Sequence, residues 1–143
     1  MNGGPVVRVR EPEGLTLVPG ASGIARFVLD VADGFHAQAN PATQPFLIPL
    51  TLKLRSSGGL RVGSARYPPG RPHRLEGAED ALLTYDGTFE VAVPVEALPA
   101  APPGERSLRG SLRYQACDDR MCLFPVSSAV TLTVRVVTTV EAR

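Results

Sequence analysis

From Ala129 to Val137 the chain alternates strictly, with Val130, Leu132, Val134 and Val136 on one side and Thr131, Thr133 and Arg135 on the other. A period of two marks a β-strand with one buried face. A slip of one residue would carry the whole apolar set into water, so the pattern sets register as well as conformation. The same alternation recurs in Val6–Arg10, Ile24–Val31, Thr88–Val95 and Arg109–Ala116. Phe46 to Leu54 puts Leu50, Leu52 and Leu54 on one face, and Pro49, which has no ladder donor, marks an edge or irregular entry. The 14 prolines and 14 glycines fall mostly between these runs, the punctuation of short strands joined by turns. No helix beyond one or two turns is expected. The reading is all-β: an immunoglobulin-like antiparallel β-sandwich, with residues 1–143 forming one domain. Tryptophan is absent, so the core lacks the buried indole of antibody domains and must be aliphatic. Two long connections, Ser56 to Leu83 and Ala97 to Glu105, are where function is expected to sit.

A net charge of +1 gives no electrostatic case for nucleic acid or an anionic membrane surface, so partners should be recognised by shape, and a monomer is expected. No apolar run reaches the length of a membrane helix, and Met1-Asn2-Gly3-Gly4-Pro5 has neither a charged nor an apolar leader region. Ser127 and Ser128 have no histidine and acid at a recognisable spacing. No bound cofactor is expected.

The chemistry concentrates in Tyr114-Gln115-Ala116-Cys117-Asp118-Asp119-Arg120-Met121-Cys122-Leu123-Phe124-Pro125, which holds both cysteines of the chain. Strand-like runs enter and leave it, Ser107 to Ala116 and Val126 to Val137, so it reads as a hairpin tip. Cysteines at the two ends of such a tip can approach a Cα separation of about 5.5 Å, which suits a disulfide. As a staple that bond is badly placed: a loop of about six residues gains only about 2 kcal/mol in the chain-entropy model. A bridge across an exposed turn is instead reachable by another thiolate. Redox exchange, a local structural disulfide in a noncatalytic interaction module, and copper handling by Cys117, Met121, Cys122 and His36 all remain open. These soft ligands suit Cu(I), whereas two thiolates alone leave zinc two ligands short. Asp118 and Asp119 are read as turn and solvation residues that discourage a thiolate at Cys117, partly offset by Arg120. His73, in a Pro- and Arg-rich loop, reads as solvated.

The twelve-residue stretch resembles the active-site hairpin of the N-terminal periplasmic domain of the thiol:disulfide interchange protein DsbD, whose members read close to YQACxxxxCxxP. Asp33-Gly34-Phe35-His36 with Asn40-Pro41 is similar to that family's GWHxxxNP, Tyr67-Pro68 to its YP, and Tyr85-Asp86-Gly87 to its YxG. The resemblance implies an immunoglobulin-like domain in which Cys117 and Cys122 exchange disulfides with thioredoxin-fold redox proteins, in the periplasm and in routes such as cytochrome c biogenesis. It implies an exported protein whose signal peptide, membrane domain and further thioredoxin-like domain lie outside this sequence. It also implies that the second cysteine, Cys122, forms the intermolecular bond and Cys117 resolves it. Leu123 and Phe124 then provide an apolar docking platform, with His36 and Tyr114 nearby. Resembling domains shield the disulfide with an aromatic residue; the corresponding region, about Arg74 to Tyr85, offers Leu75 for that role.

Overall fold

The computed structural model describes residues 5–74, 77 and 80–138, and Leu75, the expected shield, lies outside the described residues. Among them there are strands and no helix: β1 (Val7–Val9), β2 (Leu15–Leu17), β3 (Ser22–Val31), β4 (His36–Gln38), β5 (Thr51–Leu54), β6 (Leu60–Val62), β7 (Arg71–His73), β8 (Leu82–Tyr85), β9 (Thr88–Ala97), β10 (Gly104–Tyr114), β11 (Ala116–Cys117) and β12 (Val126–Val136). They form three four-stranded sheets, ordered β1-β3-β9-β6, β2-β12-β10-β5 and β11-β4-β8-β7. The first two carry the long strands, and their inner faces supply most of the core of an immunoglobulin-like β-sandwich. All pairings are antiparallel except β2 on β12.

The alternation in the sequence becomes the alternation of burial. In β12, Val130, Leu132, Val134 and Val136 are buried while Thr131, Thr133 and Arg135 face solvent. Opposite them, Leu108 and Leu112 of β10 point inward, with Leu108 directly across from Leu132. The other sheet contributes Phe27 and Leu29 from β3 and Val91, Val93 and Val95 from β9, registered Phe27 to Val91 and Ala25 to Val93. Each fully buried aliphatic or phenyl side chain contributes about 1.5–3 kcal/mol relative to exposure. The core is aliphatic around the single buried phenylalanine, Phe27. Glycine is required at Gly110, where β10 runs between β12 and β5: a Cβ there would strike the Lys53 carbonyl and lie 2.8 Å from the Leu54 Cα.

Two expectations are corrected. The run from Phe46 to Leu54 is not one strand; β5 begins at Thr51, and Phe46 is 69% exposed. Pro45 and Pro49 withhold the ladder donors that an earlier start would need, while Leu50, Leu52 and Leu54 are buried as the pattern requires. Nor is Ser56 to Leu83 an irregular connection, since it carries β6, β7 and the start of β8. Those pieces are only three or four residues long and are held by neighbours rather than by a periodic pattern of their own.

Candidate functional site

The third sheet exists to hold the cysteines. At Tyr114 the chain leaves its pairing with Val126, and after Gln115 the two residues of β11 add to the edge of β4, Ala116 opposite Ala37 and Cys117 opposite His36. Beyond, the chain reverses: Leu123 N–H donates to the Ala116 carbonyl at 2.7 Å and Asp118 N–H to the Met121 carbonyl at 2.9 Å. Those two bonds flank Cys117 and Cys122 and make them a non-hydrogen-bonded antiparallel pair, the register in which side chains come closest. The two are joined by a disulfide, with Cα atoms 3.9 Å apart rather than the expected 5.5 Å or so.

The reversal is built by Asp118. Its Oδ1 accepts the backbone N–H groups of Arg120 at 2.8 Å and Met121 at 2.9 Å. Those bonds, the Arg120 N–H first, hold its carboxyl below the usual carboxylate range. Gln115 anchors the base of the tip: its Oε1 accepts from Ile48 N–H at 3.0 Å, and its Nε2 donates to the Leu123 carbonyl at 3.4 Å.

The disulfide is not the exposed bridge that a free turn would give. Cys117 is fully buried and Cys122 half-buried, because β11 lies inside the sheet edge while the return strand lies outside it. Gln38, with no exposed surface, donates from Nε2 to the Cys117 Sγ at 3.2 Å, and its Oε1 has no partner among the described residues. A buried amide half-satisfied against sulfur is costly unless that sulfur makes use of it.

The expected site residues separate into two groups. Phe124 is 91% exposed beside the half-buried Cys122, with Met121 and Val126 also exposed, whereas Leu123 packs against the core. Tyr114 is a correction to any contact role at the surface: it is buried, and its hydroxyl accepts the Val7 N–H at 3.3 Å, tying β10 to β1. His36 is buried, its Nε2 without a partner among the described residues. Its ring lies 3.8 Å from that of His73, centroid to centroid, and His73 Nε2 lies 3.2 Å from Asp119 Oδ1. His73 is therefore not a solvated loop residue; it bridges β7 to the tip of the cysteine hairpin. Burial, and then His73, hold His36 below the ordinary imidazole range, against the opposing pull of Asp119, Asp86 and Asp118. In the disulfide form neither cysteine offers Cu(I) a thiolate, and the potential ligands that converge are His36, His73 and Asp119.

The remaining motifs form the frame. Asp33-Gly34 turns the chain into β4, with Phe35 N–H donating to the Ala32 carbonyl and Gly34 at a φ of 84° that favours glycine. The Tyr85 hydroxyl accepts from Asn40 N–H at 3.1 Å and donates to the Pro68 carbonyl at 2.8 Å, and Asn40 Nδ2 donates to the Leu50 carbonyl at 2.9 Å. The Tyr67 hydroxyl accepts from Leu52 N–H at 2.9 Å. Tyr85→Phe should cost about 1 kcal/mol in chemical denaturation, since it leaves the Asn40 N–H without its acceptor; an unchanged midpoint would show that water replaces the hydroxyl.

Sandwich and site together define a class: an immunoglobulin-like domain carrying a local disulfide with one buried and one accessible sulfur. The chain matches the family model of the thiol:disulfide interchange protein DsbD, N-terminal, over residues 11–134, and it belongs to that family. It is therefore a thiol–disulfide interchange domain. Among solved structures it is similar to the N-terminal periplasmic domain of ScsB from Proteus mirabilis, with a TM-score of 0.59 and 10% identity over 88% of this chain and 44% of that one. Weaker likenesses are a family 123 glycoside hydrolase from Clostridium perfringens (TM-score 0.46, 12% identity, 90% and 23% coverage) and a ScaB type I cohesin from Pseudobacteroides cellulosolvens (0.43, 12%, 93% and 93%). No curated protein matches the chain. The chain spans less than half of the ScsB domain it resembles.

Proposed function

We propose that residues 1–143 act as a single relay domain, receiving electrons from a membrane-linked thioredoxin-like domain and passing them to thioredoxin-fold proteins in the periplasm. The observation that carries this reading is the asymmetry of the disulfide: Cys117 buried against Gln38, Cys122 half-exposed beside the exposed Phe124. In the delivering half-reaction the Cys122 thiolate attacks one sulfur of the partner's disulfide, whose other sulfur leaves as a thiolate. The Cys117 thiolate then attacks Cys122 Sγ and expels the partner's first sulfur. Two electrons pass to the partner, the two thiol protons follow to its thiolates, and this domain ends oxidised. Phe124, Met121 and Val126 give the partner an apolar surface, and docking supplies the proximity that an unaided exchange lacks. No helix among the described residues is long and apolar enough to cross a membrane.

The test is equilibrium with glutathione redox buffers. Exchange predicts a reduction potential above about −300 mV and rapid two-electron transfer to an oxidised thioredoxin-fold protein. A potential well below that value, with no transfer, would return the bond to a structural role.

A further inference from the structure

We propose that His36, His73 and Asp119 form a binding site for a divalent transition-metal ion of the zinc type, separate from the cysteines and independent of the relay reading. The ligand atoms of the three lie within 4.8 Å of one another. They border a cleft of about 250 Å³ that is also lined by Asp86 and Asp33. Bonds of about 2.0–2.2 Å in a tetrahedral shell place ligand atoms about 3.4 Å apart. His73 Nε2 and Asp119 Oδ1, 3.2 Å apart, already stand near that spacing, and the Asp119 side chain is 75% exposed and free to turn.

The second observation is His36 itself. Its ring is 96% withdrawn from solvent, being 4% exposed, and its Nε2 has no hydrogen-bond partner among the described residues. An unpaired buried nitrogen is destabilising, and a polar group left so deserves a ligand. A proton is a poor one, because the imidazole of His73 stands 3.8 Å away and two cationic rings would repel. A metal ion asks the opposite: both imidazoles neutral, with a carboxylate to offset its charge. Two histidines and one carboxylate leave a fourth position open, for water or the Asp86 carboxylate. The three ligands come from β4, β7 and the hairpin tip, so a bound ion would clamp the tip two residues from Cys117.

The experiment uses the oxidised protein, in which no thiolate is available. Co²⁺ titration followed by visible absorption, and competition for Zn²⁺ with a chromophoric chelator, should both give one ion per chain, with no sulfur-to-cobalt charge-transfer band. His73→Ala, at a half-buried ring that can be removed without opening the core, should lower affinity at least about tenfold, as should Asp119→Asn. A protein with both cysteines changed to serine should keep the site. Failure of the oxidised protein to bind either ion, unchanged affinity in folded His73→Ala, or loss of binding on removal of the cysteines would each overturn the proposal. None of these readouts depends on electron transfer, so the site and the relay stand or fall separately.

Discussion

Reduced Cys117→Ser protein mixed with an oxidised thioredoxin-fold partner should accumulate a covalent mixed disulfide, and Cys122→Ser should accumulate none. The expected difference is close to all or nothing, because it rests on access. In-line attack on a partner sulfur requires a thiolate at the surface, and Cys122 is half-exposed while Cys117 is wholly enclosed by β4 and the return strand. Cys122 also adjoins Leu123, Phe124 and Pro125, with Phe124 at 91% exposure free to meet a partner. Removing the buried thiol leaves the intermolecular bond with nothing to break it, and non-reducing electrophoresis reads the product. Equal trapping by both variants, or trapping by Cys122→Ser alone, would reverse the roles. Trapping by neither would point to a structural disulfide.

The same access explains how far the site could be read from the chain. Long strands announce themselves: β12, β3 and β9 each place four apolar residues at period two, and their burial follows. The sheet that shapes the site does not. β11 is two residues and β4 three, and His36, Ala37 and Gln38 are all buried, so no alternation separates them from a loop. Their conformation is imposed by edge pairing, which is a property of the assembled sheet. Reading the cysteines as an exposed turn followed from this blindness, since the partner strand that covers Cys117 begins at His36, 81 residues earlier by the numbering.

Chemistry was legible where it was local and obscure where it was not. Asp118 as a turn residue follows from a short side chain next to the backbone it caps, and the structure places it so. His73 could not be joined to Asp119 across 46 positions without the fold. Gln115, Asn40 and Tyr85 sit within motifs already noticed, yet their work is to satisfy backbone groups of distant segments. A polar residue embedded in an apolar stretch, as in Ala37-Gln38-Ala39, is the one sequence signal by which Gln38, missed above, could have been found. A buried amide has to be matched to something.

Gln38 is matched to a sulfur whose character changes during the reaction. In the disulfide, Cys117 Sγ is a weak acceptor, and the 3.2 Å contact from Nε2 recovers little of the cost of burying the amide. On reduction that sulfur becomes a thiol in equilibrium with its thiolate, and the thiolate accepts from Nε2 a bond to a charged group worth about 1.5–3 kcal/mol. Gln38 therefore favours the reduced state. Gln38→Leu fills a similar volume without a donor, so it should leave the oxidised protein as stable as before or slightly more so, its unpaired Oε1 being gone as well. The reduced protein should lose stability. Reduction then becomes harder, and the potential should move to more negative values by about 30–60 mV, equivalent to about 1.4–2.8 kcal/mol for a two-electron couple. Glutathione redox titration measures the shift and thermal unfolding of the oxidised form provides the control. An unmoved potential accompanied by a large loss of oxidised-state stability would make Gln38 a packing residue with no part in the exchange.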